Sequence, residues 1–458
     1  MAMRLKIAGG RLYDPACGWD GEVGDLFIQD GRLVAPLPEV DGVVEAQGLM
    51  VTPAGIELRG QVATYGLDYL RLVAGAPSPR ELGEAYALLG YTHVHEPFLT
   101  AWTAGYVQRQ LAALPVVDTS ASLVVNLRQV DLWLRSPEDL CQVGESFRFL
   151  LQATRALNFR VVEPFVRYRQ EVYAHRAIQP EQALEILTDL TRSTGVPLAL
   201  EASPEVLRGG LPEPGAFHLA GLGPALTADD LVEAALALLK AGATGDLGLM
   251  APGGGGDAPR PVRMDLGWFR PLDLNPPWDE ATARRALRLA LAAPGSQTAF
   301  SGAGLAQAPV LAYPRLFTWL GDAAARRRDW GEDLGDRCYS LGEWVFATRT
   351  LPARLLGLED RGRLSVGARA DVALYDLPAT APSGQRRQHL GSCRTLLKAG
   401  EVVVDNFTLV NPDVPRATYF RRTAAQPTAI LQEICQFHTC RWENLWLAEG
   451  LGGSWVGL

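Results

Sequence analysis

The stretch "SPRELGEAYALLGYTHVHEP" (residues 78–97) contains the unit from which the fold can be predicted. Its first thirteen residues begin with Ser-Pro, continue with an amphipathic helical pattern and end at a glycine, as many helices do. The remainder, "YTHVHEP", is a short apolar run bounded by a glycine and a proline, which is typical of a buried strand. The stretch therefore predicts a helix followed directly by a strand.

The same alternation of apolar runs and helical patterns extends over the centre of the chain. The eight runs are "AGIELRG" (54–60), "YTHVHEP" (91–97), "ASLVVNL" (121–127), "FRVVEP" (159–164), "VPLALEA" (196–202), "AFHLAGL" (216–222), "GDLGLM" (245–250) and "QTAFSG" (297–302). Eight strands alternating with helices over about 250 residues predict an α/β fold of the (β/α)8 TIM-like barrel type. In such barrels the functional residues lie at the C-terminal ends of the strands.

Both ends of the chain carry strand and hairpin patterns. "MRLKIAGGRLYD" and "GDLFIQDGRLVA" lie near the start, and "ADVALYDL" and "RTLLKAGEVVVDN" lie near the end. We expect residues 1–50 and 356–424 to form one small β-sandwich domain, residues 51–355 the barrel, and residues 425–458 a C-terminal helix and tail. The glycine-rich "APGGGGDAPRP" (251–261) lacks a Gly-Lys-Ser/Thr motif, so it predicts a loop over the barrel mouth and not a phosphate site.

Composition excludes several classes of partner. The formal net charge is −8 and no basic stripe interrupts it, which argues against nucleic acid. No apolar run is long enough to span a bilayer, and the first residues lack the apolar core of a signal peptide, so we expect a cytoplasmic protein without a membrane association.

The six cysteines are dispersed, as in a reduced protein. Cys435, His438 and Cys440 cluster in "CQFHTC", but their spacing matches no standard zinc site. We favour a buried C-terminal helix there, with a structural metal as the alternative. Three tryptophans follow in the tail, at positions 442, 446 and 455, and two interpretations stay open: an interface with another subunit, or packing within the chain.

Several phrases of the sequence resemble the amidohydrolase superfamily. They include "VTPAGIEL" (51–58), "LLGYTHVHEP" (88–97), "LPVVD" (114–118), "YPRLFTWLGD" (313–322) and the exit segment "LPARLLGLEDRGRLSVGARADVALYD" (351–376). In detail they resemble the A subunit of formylmethanofuran dehydrogenase and of the related formyltransferase/hydrolase complex. The resemblance implies a partner subunit of such a complex, a furan-type one-carbon carrier, and formamide chemistry at a two-zinc centre.

The residues that would hold this zinc pair are replaced. The His-x-His of the family falls on Arg59 and Gln61, and a guanidinium stays protonated and cannot ligate zinc. The fifth strand offers Glu201 and the sixth Gly221 where histidines are expected, while His218 has an odd offset that predicts a side chain on the other face. The lysine that the family carries after its fourth strand has no counterpart, because no lysine lies between Lys6 and Lys240. The aspartate that the family carries after its eighth strand has none either, because "TAFSGAG" (298–304) contains no acid. We therefore expect no zinc pair and no other cofactor.

Polar residues near the predicted strand ends are the candidates for lining the barrel mouth. They are Glu57, Arg59, Gln61, His93, His95, Glu96, Glu163, Glu201 and His218. His93 and His95 share one face of a strand, so they either form a relocated metal site or fill a collapsed mouth. The Arg59 guanidinium either replaces metal charge by pairing with Glu57, Glu163 or Glu201, or points to solvent.

Three functions remain open. The favoured one is a non-catalytic relative of the A subunit that acts as a scaffold or partner in a one-carbon formyl-transfer complex. The second is a formamide hydrolase with a rearranged site, in which His93 or His95 works with Glu96 as general acid and base. The third is a binding module for the carrier, with Arg59, Arg167 and Arg169 facing a polycarboxylate tail.

Overall fold

The structure is a computed structural model of the 458-residue chain. It describes residues 4–64, 67–68, 71–72, 75–126, 139–162, 180–211, 213–251, 263–264, 272–273, 279–302, 310–331, 334–378, 389–437, 440–447 and 454–458. Everything below refers to these residues.

The strands and helices follow in chain order. The strands are β1 (Leu5–Asp14), β2 (Trp19–Gln29), β3 (Arg32–Val34), β4 (Gly42–Glu45), β5 (Met50–Pro53), β6 (Gly55–Glu57), β7 (Tyr91–Leu99), β8 (Asp118–Asn126), β9 (Asn158–Val162), β10 (Leu198–Glu201), β11 (Phe217–Ala220), β12 (Thr244–Asp246), β13 (Arg263–Met264), β14 (Leu272–Asp273), β15 (Thr298–Ala299), β16 (Val372–Tyr375), β17 (Thr395–Lys398), β18 (Glu401–Asp405), β19 (Thr408–Leu409), β20 (Ala417–Phe420) and β21 (Ser454–Gly457). The α-helices are α1 (Pro79–Leu88), α2 (Ala104–Ala112), α3 (Asp139–Ala153), α4 (Pro180–Thr194), α5 (Pro204–Gly209), α6 (Leu222–Ala225), α7 (Asp229–Lys240), α8 (Glu280–Ala292), α9 (Tyr313–Gly321), α10 (Ala323–Trp330), α11 (Leu341–Val345), α12 (Leu351–Leu356) and α13 (Ala429–Phe437). Short 3₁₀ turns span Pro214–Ala216, Val310–Ala312 and Trp442–Leu445, and a π-helical turn spans Phe346–Thr350.

The barrel prediction is confirmed. Strands β6 to β12 and then β15 pair side by side in the order of the sequence, all parallel, and each lies within or overlaps one of the eight predicted runs. Helix α1 begins at Pro79, as predicted. Ser78 caps it and forms a capping box with Glu81. The π-helical turn packs against both β6 and β15, and the Phe300 amide donates to the Ala347 carbonyl at 2.8 Å. This turn therefore lies where the first and last strands of the barrel approach each other.

Two strands, β20 and β9, pair with successive parts of the same edge of strand β8. Thr119 and Ser120 pair with Thr418 and Tyr419 of β20, while the C-terminal half of β8 pairs with β9. Strand β21 adds to β20, so the end of the chain extends the barrel sheet.

The C-terminal segment packs beside this extension. Helix α13 packs on α3, and the Leu447 amide donates to the Ala153 carbonyl at 3.0 Å. Trp455 packs within the chain against Phe420, while Trp446 contacts Phe149 and keeps 42% of its surface exposed.

Residues 5–53 and residues 372–409 build one mixed sheet, as predicted from the two ends of the chain. Its path runs β19-β18-β17-β16-β5-β1-β2-β3, with β4 added to β1. Strand β3 bonds the segment that leads into β16, since Leu33 N–H donates to Ala368 O at 2.8 Å and Ala370 N–H to Gly31 O at 2.9 Å. The sheet thus curls around an apolar cluster that includes Ile28 and Val372.

A buried ion network joins this sheet to the barrel. Asp118 at the start of β8 is fully buried, with the Lys398 Nζ of β17 at 2.7 Å and the Arg361 guanidinium also bound to it. Arg361 Nη1 lies 3.0 Å from Asp371, just before β16. Lys398 lies in the terminal sheet, outside the barrel, and it forms an ion pair between the two parts of the molecule.

Candidate functional site

Two arginines and one glutamate meet at the C-terminal ends of the barrel strands. Arg59 follows β6 and is only 6% exposed, and its Nη2 lies 3.3 Å from Glu201 Oε1 at the end of β10. The other oxygen of Glu201 accepts from Arg160 of β9, with Nε at 2.7 Å. One carboxylate is therefore shared by two buried guanidinium groups. Arg59 does not point to solvent, and the predicted approach to Glu201 is realised.

Gly221 makes room for the Arg59 guanidinium. It directly follows β11 in the left-handed conformation, with φ 70° and ψ 53°, which glycine adopts without steric cost. A Cβ at this position would overlap Arg59 Nη1. The glycine thus occupies the position where the resemblance implies a histidine ligand. The space that a side chain would fill there contains the Arg59 guanidinium.

Glu57 is buried behind Arg59 and accepts two hydrogen bonds. Its Oε1 accepts from the Arg59 backbone N–H at 2.7 Å, and its Oε2 accepts from the Tyr313 hydroxyl. Burial raises the pKa of Glu57 to about 7. Glu57 therefore lies at the predicted place, but it bonds the main chain of Arg59 and not its guanidinium.

Asp246, at the end of β12, completes the charged centre and was not singled out from the sequence. Its Oδ2 accepts from Gly221 N–H at 2.9 Å and lies 3.3 Å from His218 Nε2, while Oδ1 accepts from the Ser301 hydroxyl. Burial alone would raise the pKa of Asp246, but the hydrogen bond from His218 and the nearby cations lower it below its usual range. Asp246 is therefore a buried carboxylate that stays charged.

The expected orientation of His218 was wrong. Its side chain lines the barrel interior with Asp246, and its Nδ1 lies 3.1 Å from Thr244 Oγ1. The prediction counted strand parity back from Gly221, but Gly221 lies beyond β11 in a left-handed turn, so the period of two does not extend to it.

His93 and His95 face the same side of β7, as predicted, and both are bonded to serines. His95 Nδ1 lies 2.8 Å from Ser120 Oγ and His95 Nε2 lies 2.7 Å from Ser122 Oγ, while His93 Nε2 lies 2.8 Å from Ser120 Oγ. Burial lowers the pKa of His95 to about 3 and that of His93 well below its usual value. Both rings are therefore neutral.

The positions of the protons along this row of hydrogen bonds follow from its last acceptor, the side-chain oxygen of Asn158. Ser122 donates to the Asn158 side-chain oxygen, so it must accept from His95 Nε2–H. His95 Nδ1 then accepts from Ser120, and Ser120 accepts from His93 Nε2–H. The two rings are thus assigned as the same tautomer.

Glu96 is not a partner of these histidines. Its oxygens accept from the Ala63 N–H at 2.9 Å and the Phe98 N–H at 3.1 Å, and both are main-chain groups. Burial raises the pKa of Glu96 to about 7. Neighbouring residues of a strand point to opposite faces, so the general acid–base pair proposed from the sequence is not assembled.

The remaining candidates do not add to the centre. Gln61 lies in the turn after Arg59, with a left-handed φ of 48°. Glu163, Arg167 and Arg169 lie outside the described residues, as do the glycine-rich loop from residue 252 on and His438.

A small cavity lies inside the barrel, beside the charged centre. A cavity of about 20 Å³ remains between His95, Ser122, Asn158, Arg160, His218 and Asp246, among others. This is room for about one water molecule. Arg160 is the other residue that the sequence analysis missed, although a charged residue inside the apolar run "FRVVEP" was a usable signal.

The residues present do not fit a zinc pair. A protonated guanidinium occupies the space between the strand ends, and Glu201, Asp246, His95 and His218 are already engaged with protein groups. In the ranges that the structure covers, no three histidine, cysteine, aspartate or glutamate side chains are grouped to hold a metal ion. Adding zinc would require expelling Arg59 and breaking its pairing with Glu201.

Comparison with known proteins shows what the chain is similar to. The sequence profile of the amidohydrolase family matches residues 264–404. The chain is 26% identical to the Fhc A subunit of the formyltransferase/hydrolase complex of Methylorubrum extorquens, over 88% of its own length and 89% of that relative. It is also 23% identical to Protein FwdA of Methanocaldococcus jannaschii, over 45% of its length and 41% of that protein.

Solved structures agree with the fold. A chain of the formyltransferase/hydrolase complex (FhcABCD) from Methylorubrum extorquens, determined in complex with methylofuran, superposes with a TM-score of 0.82 at 22% identity, covering 99% of each chain. The beta-aspartyl dipeptidase of Fervidobacterium islandicum AW-1 matches with a TM-score of 0.53 at 14% identity, over 89% of this chain and 99% of that one. The fold that these structures share with the chain is a barrel with a sheet domain from both chain ends.

Proposed function

We propose that this chain is a non-catalytic subunit of a formyltransferase/hydrolase-type complex, in the position that the Fhc A subunit has in its own complex. The observation that carries the proposal is the pairing of Arg59 and Arg160 with Glu201 between the strand ends. The similarity to the Fhc A subunit extends over 88% of this chain and 89% of that relative, which supports a comparable place in a complex.

The chemistry of the centre supports the non-catalytic part of the proposal. Two-metal hydrolysis needs a bridging water of lowered pKa and open coordination positions. Here Arg59 and Arg160 provide the positive charge instead, balanced by Glu201 and Asp246. A guanidinium cannot bind and activate water as a metal does. The positive and negative side chains of the centre neutralise each other, which supports a structural role in the barrel.

The association is tested by capture from native extract. The chromosomal copy is tagged, the complex is isolated at moderate salt, and its proteins are identified by mass spectrometry. We expect co-purification, in fixed ratio, of proteins similar to the other subunits of formyltransferase/hydrolase complexes. Recovery of this chain by itself, from cells that express those subunits, contradicts the proposal.

The absence of catalysis is tested on the purified complex. We expect less than one zinc equivalent bound to this chain and no N-formyl hydrolysis that depends on it, because its strand ends carry Arg59 and Gln61. Two zinc equivalents together with chelator-sensitive deformylation would overturn this. A thermal shift with a furan-type carrier, without turnover, would instead favour the binding-module alternative.

A further inference from the structure

Two cysteines at the end of helix α13 remain unexplained by the proposed function. Cys435 lies in the last two turns of the helix, 2% exposed within the main apolar cluster. Cys440 follows the helix, is only partly buried and packs against the same cluster. The Cys440 backbone N–H donates to the Cys435 carbonyl at 2.9 Å, so the chain turns back on itself here.

This hydrogen bond limits how far apart the two residues can be. The Cα of Cys435 lies about 2.4 Å from its own carbonyl oxygen, and the Cα of Cys440 lies about 1.5 Å from its nitrogen. With 2.9 Å between nitrogen and oxygen, the Cα atoms are at most about 6.8 Å apart. Disulfides join residues whose Cα atoms are roughly 4.4–6.8 Å apart, so the hydrogen bond keeps the pair within the upper limit for a bridge.

The side chains also face each other. Burial raises the pKa of the Cys435 thiol to about 12, and the Cys440 thiol beside it adds to that rise through a hydrogen bond. Cys435 is thus a protected thiol, whereas Cys440 is accessible to a small reagent. Cys141, on helix α3 against which α13 packs, is exposed and offers a matched thiol for comparison.

We propose that Cys435 and Cys440 form a reversible redox modification site that a low-molecular-weight disulfide closes into an intramolecular disulfide. The Cys440 thiolate attacks the reagent, forms a mixed disulfide and releases one thiol. The Cys435 thiol, on losing its proton, attacks the Cys440 sulfur and releases the second thiol. The two protein thiols are oxidised, the reagent is reduced to two thiols, and the protons end on the released thiols.

The bridge would act on the attachment of the C-terminal segment. Residues 440–447 continue from Cys440 across helix α3, where Trp446 packs 5.7 Å from Phe149 between ring centres. A covalent link from Cys440 to the buried Cys435 fixes the start of this segment to helix α13. The modification therefore tightens a surface region without reaching the barrel centre, and it does not depend on the proposed function.

Peptide mapping of the full-length protein tests the site directly. Trypsin releases residues 423–441 as one peptide that contains both cysteines and no other. After equilibration in reduced glutathione and alkylation under denaturing conditions, we expect two adducts on this peptide. After equilibration in oxidised glutathione, we expect no adduct and a mass lower by two hydrogens. Cys440→Ser should abolish that loss, and Cys141→Ser should leave it unchanged.

A dithiol reagent gives a second readout on the native wild-type protein. Phenylarsine oxide bridges two thiols only when they are adjacent, so we expect one arsenic per reduced chain, lost in both Cys435→Ser and Cys440→Ser and retained in Cys141→Ser. Two free thiols in fully oxidising buffer, or glutathione attached to Cys440 without closure of the bridge, would overturn the proposal.

Discussion

Arg59 is held charged inside the barrel by the carboxylates around it. Burial by itself would lower the pKa of Arg59, but Glu201, Asp246 and Glu57 raise it above its ordinary value. The pKa of Arg160 is lowered by burial, yet a guanidinium remains protonated at neutral pH. Two buried cations therefore persist beside Glu201 and Asp246, and the charge of these carboxylates depends on them.

Replacing Arg59 tests this dependence. We expect Arg59→Met to lower the free energy of unfolding by about 3 kcal/mol, because it leaves buried carboxylate charge partly uncompensated while Arg160 still holds Glu201. Urea unfolding followed by tryptophan fluorescence measures the change. Arg208→Met is the control, since Arg208 pairs with Asp230 at the surface, and it should leave the unfolding midpoint unchanged. An Arg59→Met variant as stable as the wild type would refute the network.

His95 makes a pH-dependent contribution of defined sign. Its pKa is about 3 in the folded protein against an unperturbed value near 6.5, so its contribution is complete above pH 6.5 and is lost as the pH falls. We expect the stability difference between wild type and His95→Gln to shrink by about 2 kcal/mol between pH 7.5 and pH 5. Urea unfolding at both pH values measures it, and a difference independent of pH would show that the pKa of His95 is the same in the folded and the unfolded protein.

At the scale of an element, the end of strand β11 decides what the barrel centre contains. Gly221 leaves the strand with a left-handed backbone, and the absence of a side chain there opens the space for the Arg59 guanidinium. The main-chain N–H of Gly221 also donates to Asp246, so the turn binds the neighbouring strand. The space for Arg59 and the bond to Asp246 therefore depend on the backbone at the end of the strand and not on any one side chain.

A pair of glycine substitutions separates the two roles of this turn. Gly331 is also left-handed, with φ 67° and ψ 6°, but no atom lies within 4 Å of the position that its Cβ would take. We expect Gly331→Ala to cost about 1 kcal/mol from backbone strain alone. Gly221→Ala should cost clearly more in urea unfolding, because the new methyl group displaces the Arg59 guanidinium. Equal losses at the two positions would mean that Arg59 moves without penalty.

At the scale of the whole molecule, the ion network around Asp118 connects three parts of the chain. Asp118 begins a barrel strand, Arg361 lies in the exit segment, and Lys398 and Asp371 belong to the terminal sheet. Burial raises the pKa that Asp118 would have alone, but Arg361, Lys398 and Arg369 together lower it below its usual range. Barrel and sheet are therefore expected to unfold together.

Lys398→Met tests this coupling. Removing the buried ammonium should lower the free energy of unfolding by about 3 kcal/mol and speed hydrogen exchange in strands β16 and β17. Lys6→Met is the matched control on the same sheet, because Lys6 pairs with Asp25 at the surface, and it should leave exchange in these strands unchanged. If Lys398→Met exchanged like the wild type, the sheet would be held by its apolar contacts alone.

The sequence by itself determined the eight barrel strands, the helix that Ser78 caps and the sheet built from both ends of the chain. These features are encoded locally, because a strand buried on both faces must be apolar along its own length and a helix start needs only a cap and a periodic pattern. The replacement of ligand residues at Arg59 and Gln61 was equally readable, since it is a matter of residue type.

Only the tertiary structure decided which buried polar groups meet. Arg59 and Glu201 are 142 positions apart, and their contact depends on strand order and on the turn at Gly221. The orientation of His218, the separation of Glu96 from the histidines and the roles of Arg160 and Asp246 followed from packing in the same way. Charged side chains pair across strands according to geometry that no local pattern carries, so the barrel could be predicted from the chain while the contents of its centre could not.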